Sequence, residues 1–204
     1  MNHRMLPLVG ALAAALLLPG CFPAVIGAGA GAVMSVQDRR TSGTQIEDEG
    51  IELRAVNRIG ERFGDKVHVN VTSFNRFVLV TGEVPDAATR EAIEKIVRAV
   101  PNVRAVTNEL QVAGVSSFGA RSNDSLITSK VKARFLDADK FNPIHVKVVT
   151  EASVVYLLGL VTEREANDAV EIARTTGGVR KVVKVVEYCK PTDEPCRPPA
   201  KPAN

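Results

Sequence analysis

The chain repeats one segment of its own sequence, and this internal repeat constrains the fold more than any other feature. Residues 67–84 align without a gap on residues 144–161, at an offset of 77. Upstream and downstream of these segments, the apolar residues match at an offset of 76. Because the offset changes only between predicted elements, the repeat indicates a duplicated domain of about 65 residues.

The second copy is predicted to begin with a helix. Apolar residues recur every four positions at Ile127, Val131 and Phe135, which is typical of the buried face of a helix. The side-chain oxygens that we expect to cap its first turn belong to Ser122, Asn123 and Asp124.

A hairpin, a second helix and a third strand complete the copy. The alternation in "IHVKV" and the β-branched run "SVVYLLG" predict two strands joined around Glu151 and Ala152. The segment "TEREANDAVEIARTT" is predicted to be a helix whose first turn is a capping box of Thr162 and Glu165. The segment "VRKVVKVVEY" is then a third strand. Each copy is therefore αββαβ, and we predict an α+β fold with two helices on one face of a three-stranded mixed sheet.

The N-terminus has the organisation of a secretory signal. Arg4 precedes the 13-residue apolar run Leu6–Leu18, whereas roughly 20 apolar residues are needed to cross a bilayer. The residues "LPG" before Cys21 resemble the lipobox of bacterial lipoproteins, although the proline departs from the commonest pattern. That resemblance implies that Cys21 is acylated and becomes the mature N-terminus. Phe22 in place of Asp then favours the outer membrane, facing the periplasm. The alternative is a signal anchor, or an ordinary signal with an incidental cysteine.

The two remaining cysteines lie near the C-terminus. Cys189 and Cys196 have six residues between them, and in an oxidising compartment such a pair most simply forms a disulfide. Two free thiols are the alternative. No histidine lies nearby and two thiols are too few ligands, so we expect no metal there.

Six segments follow from these features. They are a signal peptide (1–20), an acylated cysteine and tether (21–43), a first domain (44–112), a linker (113–121), a second domain (122–190) and a Pro-rich tail (191–204).

The order of elements resembles the BON domain. The stretches that carry the resemblance are "GTQIEDEGIELR", "VNVT", "SNDSLITSKV", "VKVVTE" and "GLVTEREA", between Ser42 and Glu187. Two such copies behind a lipobox resemble dual BON-domain lipoproteins of the bacterial outer membrane. The resemblance implies a role in outer-membrane integrity, binding of anionic phospholipid through the second copy, and association with the division site. Division-site or other envelope proteins are then further expected partners.

Charge also favours the second copy as the lipid-binding one. Residues 44–112 carry 9 Lys or Arg against 11 Asp or Glu, and residues 122–190 carry 11 against 9. Leu126, Lys130 and Arg134 form a stripe beside the buried face of the predicted helix, and an apolar residue followed by cations suits a headgroup boundary. The equivalent stripe of the first copy starts with Gly50 and lacks an apolar residue. A solvated helix face, on a protein-interaction scaffold, is the alternative.

Other classes of function find little support. His68 and His145 are equivalent residues of different copies, and we expect both on strands, facing away from the core. No catalytic triad or phosphate-binding loop is present, so we expect neither an enzyme nor a cofactor. The net charge of +3, without a basic run, does not indicate nucleic-acid binding.

Overall fold

Each half of the chain folds as helix, strand, strand, helix and strand in the computed structural model, which describes residues 38–114 and 116–197. The first domain consists of α1 (Ser42–Phe63), β1 (His68–Phe74), β2 (Phe77–Val84), α2 (Ala87–Arg98), β3 (Ala105–Asn108) and β4 (Gln111–Val112). The second domain consists of α3 (Phe118–Ala138), β5 (Val146–Glu151), β6 (Val154–Val161), α4 (Glu163–Arg174) and β7 (Lys181–Tyr188).

The two sheets have the same mixed pairing. In the first domain β2 pairs antiparallel with β1 and parallel with β3, and in the second β6 pairs antiparallel with β5 and parallel with β7. The short β4 also pairs parallel with β2, so the third strand of the first domain is interrupted at Glu109 and Leu110. The predicted α+β fold with two αββαβ domains is confirmed.

Each pair of helices packs on one face of its sheet. Ile127, Val131 and Phe135 are at most 1% exposed and lie in one apolar cluster with residues of β5, β6 and α4. Their equivalents Ile51, Ala55 and Ile59 occupy the same place in the first domain. Because truncation of such a buried side chain to alanine costs about 2–5 kcal/mol, these stripes are major determinants of stability.

The prediction for the start of α3 was wrong. The helix begins at Phe118, inside the segment predicted as a linker, and Ser117 is its N-cap, with its Oγ accepting from the backbone N–H of Ala120 at 3.3 Å. Ser122, Asn123 and Asp124 therefore lie within the helix. The first helix likewise starts at Ser42, two residues before the predicted boundary of the first domain.

Asp124 has a different role, which is to hold the β5–β6 hairpin. The backbone N–H groups of Ala152 and Ser153 donate to its carboxylate at 2.9 and 2.8 Å. Both turn residues have positive φ, 49° and 61°, in the left-handed region that the tightest hairpin turns require. Since neither is glycine, the aspartate stabilises a turn that these residues do not favour alone. The turn lies one residue later than predicted.

Two other local predictions had opposite outcomes. The capping box of Thr162 and Glu165 is confirmed at the start of α4. His145, predicted on a strand, lies instead in a 3-10 turn (Pro143–His145) just before β5. A Cβ placed on Gly159 would be 2.5 Å from the carbonyl oxygen of His145. Position 159 therefore accepts no residue larger than glycine unless the backbone shifts.

The outer faces of the two sheets contribute to a third apolar cluster. Its buried members are Phe74, Leu79, Val154, Tyr156, Leu158, Leu160 and Cys196. Polar contacts also join the domains: Lys147 Nζ lies 3.0 Å from a carboxylate oxygen of Glu52, and Arg104 Nη1 lies 3.1 Å from one of Glu187. Both faces of each sheet are therefore used for packing.

The tail belongs to this third cluster. Cys189 and Cys196 are joined by a disulfide with a Cα–Cα distance of 6.2 Å, and Cys196 is 2% exposed. The bridge fixes the chain that follows β7 against the apolar side chains between the sheets.

Candidate functional site

The three residues predicted to bind lipid lie on α3, but in different surroundings. Leu126 is 54% exposed and Lys130 is exposed. Arg134 is half-buried, because its Nη1 donates to the carbonyl oxygen of Ile172 at 2.8 Å and to Oγ1 of Thr176 at 2.7 Å. Arg134 thus caps the C-terminal end of α4, where a cation is favourable.

The outward face of α3 contains a second leucine and a second lysine that the sequence analysis missed. Leu136 is 68% exposed, and Lys132 is exposed. At 100° per residue, Leu126 and Leu136 lie on the same side of the helix, about 15 Å apart along its axis, with the exposed Ala133 between them. Lys130 and Lys132 flank this apolar line on opposite sides. We refer to Leu126, Lys130, Lys132, Ala133 and Leu136 as the α3 face.

The ammonium groups of the lysines on the α3 face are free of polar contacts with the part of the chain that the structure describes. Among the described residues, neither Lys130 nor Lys132 makes a hydrogen bond or an ion pair. The helix carries four basic residues against two acidic ones, and one of the acidic ones is the buried Asp124. The α3 face is therefore an apolar line in a net positive surrounding.

A groove continues the apolar surface beyond the end of α3. It measures about 360 Å³ and includes Leu136, Pro143 and Ile144, with Lys132 and Lys147 also in its lining. Ile144 is 44% exposed. The exposed apolar area of the second domain therefore extends from Leu126 to the turn that precedes β5.

The equivalent helix of the first domain differs in charge more than in apolar exposure. Ile46, Leu53 and Val56 on α1 are 70%, 63% and 46% exposed, although the stripe that starts with Gly50 has no apolar residue. The two arginines of this stripe already have partners within the first domain. Arg54 pairs with a carboxylate oxygen of Glu47, and Arg58 donates to a backbone carbonyl oxygen. The helix carries five acidic residues against three basic ones, so α1 is net negative.

The last residues of the predicted tether are fixed to the second domain. Arg39 donates to both carboxylate oxygens of Glu165, at 2.8 and 2.9 Å, and to the carbonyl oxygen of Leu160. Burial alone would raise the pKa of Glu165, but hydrogen bonds from His145, Arg39 and Thr162 hold that pKa far below its ordinary value. Cys21, the predicted acylation site, lies outside the described residues.

A polar cluster between the domains is the second candidate site. Ligand atoms of His68, Glu83 and Glu151 all lie within 4.8 Å of one another. The sequence alone does not reveal this cluster, because the three residues come from separate strands and His68 stands out in the sequence only as the equivalent of His145.

Comparison with known proteins identifies the fold. The BON domain family matches residues 51–114 and 123–190, which are the two αββαβ units described above. The chain belongs to the BON domain family and carries two copies of that domain, as the sequence resemblance predicted.

Three relatives are similar over different shares of their length. The outer membrane lipoprotein DolP of Haemophilus influenzae is 39% identical over 179 residues, which cover 87% of this chain and 93% of that protein. A 21 kDa hemolysin of Actinobacillus pleuropneumoniae is 31% identical, over 74% of this chain and 79% of that protein. The osmotically-inducible protein Y of Escherichia coli is 32% identical, over 56% and 58%.

The predicted location agrees with the first of these relatives, which is itself an outer membrane lipoprotein. None of the helices within residues 38–114 and 116–197 has the length and apolar content needed to cross a bilayer.

Proposed function

We propose that this chain is a lipid-anchored outer-membrane protein, facing the periplasm, that binds anionic phospholipid through the α3 face. The observation that carries the proposal is the pair of exposed leucines flanked by two lysines that have no side-chain partner among residues 38–114 and 116–197. The protein acts by binding rather than by catalysis. The resemblance to BON lipoproteins extends the proposal to support of outer-membrane integrity and to association with the division site.

The α3 face matches the chemistry of a headgroup boundary. Each lysine near an anionic membrane surface contributes about 1 kcal/mol, and its alkyl chain can lie along apolar surface while the ammonium stays among the phosphates. Full burial of a leucine contributes about 1.5–3 kcal/mol. The predicted Arg134 is replaced in this role by Lys132, because the Arg134 guanidinium is used within the domain.

With the predicted lipid anchor at Cys21, a modest affinity of the α3 face for phospholipid is enough to keep that face on the membrane. Asp38 is seventeen residues beyond Cys21, and a fully extended segment of that length spans about 60 Å. A tether of this reach holds the second domain near the bilayer, so the α3 face binds as an intramolecular step at high effective concentration.

Liposome co-sedimentation tests the proposal. The mature chain with Cys21→Ser, which lacks acyl chains, should bind vesicles containing phosphatidylglycerol and leave neutral phosphatidylcholine vesicles unbound. Binding should weaken with salt, because the screening length falls from about 10 Å at 0.1 M to about 3 Å at 1 M. Lys130→Glu with Lys132→Glu should reduce the affinity at least tenfold.

The matched control has the same change of charge in the first domain. Lys66 and Lys95 are exposed, and among the described residues neither side chain has a hydrogen bond or ion pair. Lys66→Glu with Lys95→Glu should therefore leave most of the binding intact. Equal loss in both double variants would mean that net charge alone governs binding, and unchanged binding in the Lys130/Lys132 variant would place the site elsewhere.

A scaffold function remains the second candidate, and a different helix supports it. Ile46, Leu53 and Val56 give α1 an exposed apolar line in a net negative surrounding, which suits a protein better than an anionic bilayer. Leu53→Asp with Val56→Asp changes only α1, so it should leave liposome binding through the α3 face unchanged. A loss of envelope integrity in cells that carry this folded variant would favour docking of a protein.

A further inference from the structure

The two domains meet at a set of metal-ligating side chains. His68 stands at the start of β1, Glu83 near the end of β2, and Glu151 at the end of β5. Nδ1 of His68 lies 2.9 Å from Oε2 of Glu83, and the ligand atoms of all three residues lie within 4.8 Å of one another. The first two residues belong to the first domain and the third to the second domain.

The two carboxylates are buried without a permanent cation beside them. Glu83 is 6% exposed and Glu151 is 5% exposed. Among the described residues, no Lys or Arg nitrogen lies within 4 Å of either carboxylate. Burial of two carboxylates this close together is unfavourable unless a positive charge compensates them.

The internal repeat shows that the fold does not require these carboxylates. At the offset of 77, the residue equivalent to Glu83 is Leu160, and the residue equivalent to Glu151 is Phe74. Leu160 and Phe74 are both buried in the apolar cluster between the sheets. An apolar pair therefore fits these positions, and replacement of buried charges by such a pair is often neutral or stabilising. The acidic pair calls for an explanation other than packing.

We propose that His68, Glu83 and Glu151 bind one Zn²⁺ ion that joins the two BON domains. Zinc binds imidazole nitrogen and carboxylate oxygen in the same site, and many zinc sites have three protein ligands and a water in the fourth position. Mg²⁺ and Ca²⁺ prefer oxygen ligands alone. Adjacent ligand atoms around a tetrahedral zinc lie about 3.4 Å apart. The separations of 2.9 Å to at most 4.8 Å reach this value through small side-chain rotations.

Neighbouring groups orient both carboxylates. Nδ2 of Asn70 donates to Oε2 of Glu151 at 2.9 Å, and the backbone N–H of Ser116 donates to Oε2 of Glu83 at 3.3 Å. Such hydrogen bonds to ligating groups hold them in position in zinc sites. Because the ligands come from both domains, zinc binding stabilises the pair of domains and not either one alone.

Calorimetric titration of the mature acylated protein in detergent with ZnCl₂ tests the site, with MgCl₂ as the comparison ion. One Zn²⁺ should bind per chain, and Mg²⁺ should give no saturable binding. At a hundredfold excess of Zn²⁺ over its Kd, the Tm should rise by about 5–10 °C. His68→Ala and Glu151→Gln should each weaken zinc binding at least tenfold. His145→Ala removes the equivalent histidine of the second domain and should leave zinc affinity unchanged.

A further variant separates loss of the ligands from loss of the fold. Glu83→Leu with Glu151→Phe copies the apolar pair found at the equivalent positions. It should keep the circular dichroism spectrum and the cooperative unfolding of the wild type while losing the zinc-dependent rise in Tm. Absence of saturable zinc binding to the wild type overturns the proposal. It is equally overturned if the folded Glu83/Glu151 variant binds zinc as the wild type does.

Discussion

Replacement of the aspartates that hold the two hairpins tests how the turns are stabilised. Asp124 accepts two backbone N–H groups, and the equivalent Asp48 accepts those of Asn75 and Arg76, at 2.8 and 2.7 Å. Asp48 also accepts from Oγ of Ser73 at 2.7 Å and pairs with Arg40 at 2.9 Å. We expect Asp124→Ala to destabilise the second domain, and Asp48→Ala to destabilise the first domain by more.

The magnitudes follow from the number of bonds. A hydrogen bond to a charged group contributes about 1.5–3 kcal/mol, so loss of the two bonds of Asp124 should lower the free energy of unfolding by about 3 kcal/mol. With its two extra partners, Asp48→Ala should lower it by about 5 kcal/mol. A chain of this size loses about 2–4 °C in Tm for each kcal/mol, which gives decreases of about 6–12 °C and 10–20 °C.

Urea denaturation followed by far-ultraviolet circular dichroism measures both values. Asp137→Ala is the matched control, because Asp137 lies exposed on the same helix as Asp124 and, among the described residues, has no hydrogen bond or ion pair. Its free energy of unfolding should stay within about 0.5 kcal/mol of the wild type. The reasoning is refuted if Asp124→Ala is as neutral as this control, or if Asp124→Ala destabilises more than Asp48→Ala.

Three further predictions concern the acylated cysteine, the disulfide in the tail, and Glu165, which binds Arg39 at the end of the predicted tether. Cys21→Ala should leave an unprocessed precursor without label in a radiolabelled-lipid assay, and normal processing would contradict acylation at Cys21. Reduction of the Cys189–Cys196 bridge should lower the free energy of unfolding by about 2 kcal/mol, seen as a fall of about 4–8 °C in Tm, because the short loop is no longer closed in the unfolded chain. The pKa of Glu165 is lowered by folding, so its contribution is full above the unfolded pKa of about 4.3 and is lost as the pH falls below that value. Glu165→Gln should therefore destabilise the protein at pH 7, and by progressively less as the pH falls from about 4.3 toward the folded pKa, which thermal unfolding over a series of pH values can check.

The order of elements was predictable because it depends on local periodicity. The spacing of Ile127, Val131 and Phe135 identifies a helix without knowledge of its partners, and a second copy of the same pattern repeats the test. The capping of α3 was not predictable in this way. Asp124 suits a helix start by residue type, and its actual partners lie 28 and 29 positions further along the chain.

The sequence of β6 indicates that both faces of its sheet are covered. Strand β6 reads "VVYLLGLV" and is buried at every position, whereas a strand with one face in water alternates between apolar and polar residues. A continuous apolar run is typical of a strand covered on both faces. The identity of the second cover, the outer face of the first domain with the disulfide-bridged tail, depends on contacts between distant parts of the sequence.

The candidate site was predictable in part, because the spacing of residues along a helix indicates which of them are exposed. Leu126 and Lys130 are exposed because they lie beside the core stripe, which the spacing alone indicates. Arg134 has the same spacing, but its partner Ile172 is 38 residues away on α4. Leu136 falls on the outward face ten residues after Leu126, so it does not belong to the stripe of residues spaced by four.

Packing between the domains also limits where a partner can bind. Each sheet is covered by its own helices on one face and contributes to the cluster between the sheets with the other, so little sheet surface remains for a large partner. Among the α-helices of the described residues, α1 and α3 carry the exposed large apolar side chains, and the two helices differ in sign of charge. If the proposed lipid binding holds, an anionic bilayer attracts the basic helix and repels the acidic one, so that a single chain contacts the membrane through α3 while α1 stays available to the periplasm.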